Sequence, residues 1–325
     1  MIRFHSSRRL ACLLAVVTLA GCTNDPAQQK PTLPTDTERP QPLRALEDPR
    51  VQAHIPQMQR VEALLTRWDA LRADGRVGEA EQIAPQIGRE VDADFTTFLR
   101  ATQGELGPHA QYLSVSAMGF SRSDQATRAL LARLTDRDAR LVGNTLIALS
   151  VRADPNPPLD ALLLRIAPAM PHSVKQFAPV ALANVLEART RARVPVDKAR
   201  EQIALGKLGS VVTDHDPIVR LHTAKALGAL QVPGTLEYLR VLAGDPNMRV
   251  RWSAAAGLER HGEPGGFPEV IRLLSDVAPE SKPVIRDVLV SYAGKLQGRA
   301  LTQSEIASLG TGPRAWSQWY SQLRK

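Results

Sequence analysis

The chain has 325 residues, with 41 Lys and Arg against 33 Asp and Glu and a formal charge of +8. So mild an excess does not call for nucleic acid as a partner. The only cysteines are Cys12 and Cys22, so everything beyond residue 22 lacks a disulfide, a thiol nucleophile and a Cys-ligated metal.

Met1 to Cys22 reads as an export signal. Arg3, Arg8 and Arg9 precede an apolar run from Leu10 to Ala20, too short to span a bilayer as a permanent helix. The closing Leu19-Ala20-Gly21-Cys22 resembles the lipobox of bacterial lipoproteins. That resemblance implies removal of residues 1–21 and acylation of the Cys22 thiol, the one covalent cofactor expected. An ordinary secretory peptide cleaved nearby is the alternative. Thr23 stands where Asp would mark inner-membrane retention, so the resemblance implies an outer-membrane anchor facing the periplasm in a two-membrane bacterium. Each buried CH₂ contributes about 0.8 kcal/mol, so two or three chains would hold stably. Loss of the three leading arginines lowers the charge to +5, because all acidic residues lie beyond Cys22.

Residues 22–50 carry Pro26, Pro31, Pro34, Pro40, Pro42 and Pro49 among polar side chains. Such a stretch buries too little apolar surface to offset its ordering entropy and serves as a tether, its ends on the order of 30 Å apart. Residues 51–107 then show a helical period. Met58, Val61, Leu64, Leu65, Trp68 and Leu71 recur until Asp74-Gly75, and Val77, Ala80, Ile83, Ile87, Val91, Phe95 and Phe98 come next. Two amphipathic helices joined by a short Gly turn make a hairpin, with Pro85 a candidate kink in the second. This hairpin is expected to cap the rest of the chain.

Residues 108–325 are organised by a pattern that appears twice. Asp214-His215-Asp216-Pro217-Ile218-Val219-Arg220 leads into an Ala/Leu helix, and Asp245-Pro246-Asn247-Met248-Arg249-Val250-Arg251 does the same 31 residues later. Weaker copies surround Asp136 to Leu149, Val174-Lys175, Ile285-Arg286 and His109 to Phe120. Self-similarity at this period means units that bury their apolar faces only by stacking. Partner helices are expected at 124–134, 159–169, 198–212, 235–243 and 267–275. No stretch alternates with a two-residue period as a strand would. The fold expected is all-α, a solenoid of antiparallel helix pairs. An Asp at the turn, Val-Arg five positions on and a small-residue helix resemble the HEAT repeat. Trp316, Trp319 and Tyr320 would cover the last open edge.

The HEAT resemblance implies that turn carboxylates and second-helix arginines form a ladder of ion pairs along the stack. Asp214 with Arg220, Asp245 with Arg251 and Glu280 with Arg286 keep a six-residue spacing. A basic binding stripe is the competing reading of the same arginines. Asp216 and Asn247 are placed to cap the helices that begin after them. The dispersed histidines, the absence of a phosphate loop and the absence of a nucleophile elbow point away from a metal site and from catalysis. Once the buried positions are assigned, Leu221, His222 and Lys225 are left for the inner side of their helix, with Phe177 and Trp252 at related places. Phe177, Leu221 and Trp252 would form an apolar line there. Such a line marks a partner site if exposed, or packing if a tight curve buries it.

Taken together, these features describe a lipid-anchored envelope protein that binds a protein or peptide, with no catalysis, no small-molecule substrate and no nucleic acid. The alternatives are an enzyme or enzyme accessory with a site between repeats, as in the phycobilin lyases that HEAT-like repeats also resemble, and a passive structural lipoprotein.

Overall fold

The computed structural model describes residues 55–323 apart from 233, 280 and 281. The signal segment, Cys22, the tether and Glu280 therefore lie outside the described residues. Those residues form sixteen α-helices and one 3-10 turn, with no strand among them. They fall into two compact units divided after Asp136, later in the chain than the 107/108 boundary expected from sequence.

The first unit begins with a hairpin of α1 (Ile55–Ala73) and α2 (Val77–Ala93). Met58, Val61 and Leu71 meet Val77, Ala80, Ile83, Ile87 and Val91 in its buried seam. The helix α2 runs through Pro85 but stops short of Phe95 and Phe98. Asp94 leaves helical geometry and accepts the Thr97 N–H, starting α3 (Phe95–Thr102). A short polar side chain that can satisfy an orphan N–H breaks the helix where the hydrophobic period alone would continue it. Next come α4 (Pro108–Met118) and α5 (Asp124–Arg133). Trp68 lies edge-on to Phe120 at 5.1 Å, and the Arg72 guanidinium covers the indole at 4.9 Å.

The second unit is an α-solenoid. Its stack consists of α6 (Ala139–Arg152), α8 (His172–Ala192), α10 (Pro217–Ala229), α12 (Met248–His261) and α14 (Lys282–Gln297), each packed on the one before. Partner helices precede the last four: α7 (Leu159–Leu163), α9 (Lys198–Gly209), α11 (Thr235–Ala243) and α13 (Phe267–Asp276). The α7 helix is less than half its expected length. Pro168 disfavours helix at Ala167 and removes a donor, so Leu164 to Met170 turn instead. Small residues set the spacing of the stack. At Gly228 a methyl group would sit 2.8 Å from the Gly257 Cα, so α10 and α12 touch backbone to backbone.

The far end is closed by α15 (Gln303–Leu309) and α16 (Pro313–Leu323). The Phe267 ring is surrounded by Tyr292, Trp316, Trp319 and Tyr320 at centroid distances of 5.2 to 6.2 Å. Tyr320 donates to the Pro264 carbonyl at 2.7 Å and the Trp316 Nε1 to Gly310 at 3.2 Å. Both polar tips are thereby satisfied inside an apolar lid.

Candidate functional site

The junction loops between layers determine which charges remain for a partner. In each loop the first Asp accepts the N–H two residues on, Asp216 onto Asp214 at 3.0 Å and Asn247 onto Asp245 at 2.8 Å. The second residue caps the helix: Asp216 accepts from Ile218 and Asn247 from Arg249. Each Arg then reaches back to its own loop. Arg220 Nη1 donates to Asp214 O at 2.6 Å, and Arg251 Nη1 to Asp245 O at 2.8 Å.

The six-residue spacing therefore joins an arginine to a backbone carbonyl of its own loop, and not to that loop's carboxylate. Carboxylates pair with the preceding layer instead. Lys175 Nζ lies 2.7 Å from Asp214, and Arg220 grips Asp245 through Nε and Nη2 at 2.6 and 3.0 Å. An arginine with one arm on its own loop has its other nitrogens directed at the next, so geometry favours the inter-layer pair. Burial opposes ionisation of Asp214, yet the Lys175 hydrogen bond and the Asp216 N–H outweigh it and hold its pKa below the usual carboxylate range. Sequence reading missed Lys175, which occupies the arginine position of a layer whose own loop has Ala169 instead of Asp. The carboxylate partner expected for Arg286, Glu280, lies outside the described residues; Arg286 Nη2 is 3.3 Å from Asp287.

The five candidate contact residues share one face of α8, α10 and α12. Along this stack Glu187 of α8 reaches Arg260 of α12 at 2.8 Å across the intervening α10. Phe177 and His222 approach with centroids 6.3 Å apart. His222 Nδ1 lies 2.6 Å from the Gln176 carbonyl, which can only accept, so Nδ1 carries the proton. Gln176 in turn donates to Asp216 at 2.8 Å, Lys225 to Asn184 at 2.7 Å, and Asn184 to Ser150 at 2.6 Å. A hydrogen-bonded row thus crosses the layers beside the apolar residues.

Phe177, Leu221 and Trp252 are half-buried, between the exposed line and the packed one that the sequence leaves open. Trp252 Nε1 is covered and has no hydrogen-bond partner among the described residues. Among the described residues no group of three His, Cys, Asp or Glu could hold a metal ion. No described helix is long and apolar enough to cross a membrane.

Burial pushes the pKa of His222 below its ordinary 6.5, with Lys225 and Arg249 adding to the effect against the Gln176 carbonyl. His261 is shifted the same way, chiefly by burial, against its contact with Leu227 O. Both rings take up protons more readily when unfolded. Stability should therefore be level above about pH 6.5 to 7 and fall as pH drops from there through the lowered folded values. Urea midpoints at pH 7.5 and 5.5 test this, and His222→Gln should flatten the difference.

A family model for HEAT repeats matches residues 205–293, from within α9 to within α14. No curated protein matches the chain.

Proposed function

We propose that the protein is a non-catalytic binding scaffold of the cell envelope, anchored in the outer membrane by acyl chains on Cys22 and facing the periplasm. Its α8–α10–α12 face takes a protein or peptide partner. The observation that carries this reading is the division of labour along the stack. Lys175 and Arg220 are engaged in holding layers together, while Phe177, Leu221 and Trp252 stay half-buried beside His222 and Lys225. Half-buried aromatic and aliphatic side chains bordered by fixed polar groups are what a peptide-binding surface requires. HEAT repeats, as a class of stacked helical scaffold, present such extended surfaces.

Trp252→Ala should reduce the unfolding free energy by about 1 to 2 kcal/mol, below the range for a fully buried aromatic, and partner affinity by about 2 kcal/mol or more. Urea melts give the first figure. For the second, wild type and variant serve as baits for detergent-solubilised envelope proteins. A protein retained by the wild type and lost by Trp252→Ala supports the face, whereas equal retention by both, or none by either, removes it. A stability loss of about 3 to 5 kcal/mol would place the indole wholly within the packing.

The anchor has its own test. Cys22→Ser should abolish palmitate labelling and leave unprocessed precursor, since no thiol follows residue 22. Label persisting on the variant, or wild-type protein released without detergent, would dispose of the anchor.

A further inference from the structure

The last turn of α8 and the loop after it carry Arg189, Arg191, Arg193, Lys198 and Arg200, with Asp197 the sole acid between them. Positive charge is a property of this unit. Residues 137–325 hold 25 Lys and Arg against 17 Asp and Glu, whereas residues 23–136 hold 13 against 16, so an anionic group is drawn to the solenoid and not to the first unit.

Beside this run, between the starts of α7 and α9 and the end of α8, lies a cleft of about 500 Å³. Arg189 lines it in an unusual setting. Its Nη2 donates to Pro157 O at 2.9 Å and its Nη1 to Pro195 O at 3.4 Å, while Nε is buried with no partner among the described residues. No carboxylate among the described residues pairs with it. Burial and the nearby Arg200 charge press its pKa below the usual guanidinium value, against Asp154.

Arg200, in contrast, is engaged: its Nε is 3.2 Å from both Asp160 oxygens and its Nη1 is 3.8 Å from Asp197. The cleft thus combines one guanidinium with no carboxylate in direct contact among the described residues, two carboxylates with spare lone pairs beyond the Arg200 contacts and the Ala199 N–H on Asp197, and apolar surface from Pro158 and Val196. That combination selects among anions. A phosphate would bring two negative charges against Asp160 and Asp197. The end of a peptide brings one, preceded by N–H donors that those carboxylates can accept.

We propose that this cleft binds the free carboxyl terminus of a peptide, with the carboxylate on Arg189, the last amide N–H groups on Asp160 and Asp197, and an apolar final side chain against Pro158 and Val196. This site lies apart from the proposed partner face, so its failure leaves the scaffold reading standing.

The probe is acetyl-Gly-Ala-Leu with a free carboxyl end, compared with the same peptide as its carboxamide and with inorganic phosphate. The readout is the Arg189 Nε–H resonance in nitrogen-edited spectra of the full chain. The free acid should shift that resonance saturably, and the carboxamide should bind at least about tenfold more weakly, a difference of about 1.4 kcal/mol. Arg189→Gln removes the cation and should lose binding. Should that variant fail to fold, Val196→Asp places a competing carboxylate at the half-buried rim and should abolish binding without moving the melting midpoint. Equal binding of acid and carboxamide, no binding of either, or phosphate binding as tightly as the peptide would each overturn the proposal.

Discussion

Arg220→Ala should lower the unfolding free energy by about 3 to 5 kcal/mol, because it strips a buried carboxylate of its counterion. The Asp245 side chain is 6% exposed and that of Arg220 13%, so water screens the pair little. Arg220 also ties Asp214 O and His215 O to its own helix, and those carbonyls lose a donor in the variant. Hydrogen bonding to Asp245 pushes the arginine's pKa further up, as a strongly held cation requires. Arg220→Lys should recover only part of the loss, since an ammonium cannot serve two carboxylate oxygens and a carbonyl together. Urea melts of the two variants measure both effects. A loss below about 1 kcal/mol for Arg220→Ala would class the pair with exposed ones and return Arg220 to the surface available to a partner.

Trp316→Ala should cost a similar amount, about 3 to 5 kcal/mol. Trp316 is 0% exposed, as are Phe267 and Tyr292 beneath it. Its removal leaves a cavity in the lid and uncovers the ring of Phe267. In a stacked array each layer is stabilised mainly by its neighbours, so damage at one end need not spread evenly. Exchange of backbone amides in α13 and α14 should accelerate more than in α8. Uniform acceleration throughout the second unit would mean that its layers unfold as one cooperative block.

How far these features could be read from sequence varies with their physical origin. The helices around Val219 and Val250 were legible because stacking imposes Ala and Leu at fixed positions and the junction imposes Asp-x-Asp or Asp-x-Asn. The break at Asp94 was not, since a hydrophobic period runs straight through it and a single capping side chain decides the outcome. Ladder members were visible but their partners were not. A fixed spacing within one unit suggested an internal pair, whereas the carboxylate belongs to the next layer, at sequence separations of 39 and 25 residues for Lys175–Asp214 and Arg220–Asp245. Phe177, Leu221 and Trp252 fall outside the main core pattern and are half-buried. Their half-burial depends on how closely neighbouring helices pack, which leaves no mark on the residues themselves. Arg189 belongs to the same kind: its setting arises from two loops converging on one guanidinium, and no motif in the sequence signals that.

The contact between Gly228 and Gly257 has a mechanical consequence. Arg220 lies eight residues before Gly228, about 12 Å back along α10. The backbone contact acts as a fulcrum near one end of the α10/α12 layer, and the Arg220–Asp245 pair as a tie near the other. A load prising these helices apart at the junction side would turn about the glycines and fall on the ion pair, leaving the Ala and Leu packing close to the pivot almost unstrained. The layer would resist small deflections stiffly and then yield abruptly when the tie parts, as a latch does and a spring does not.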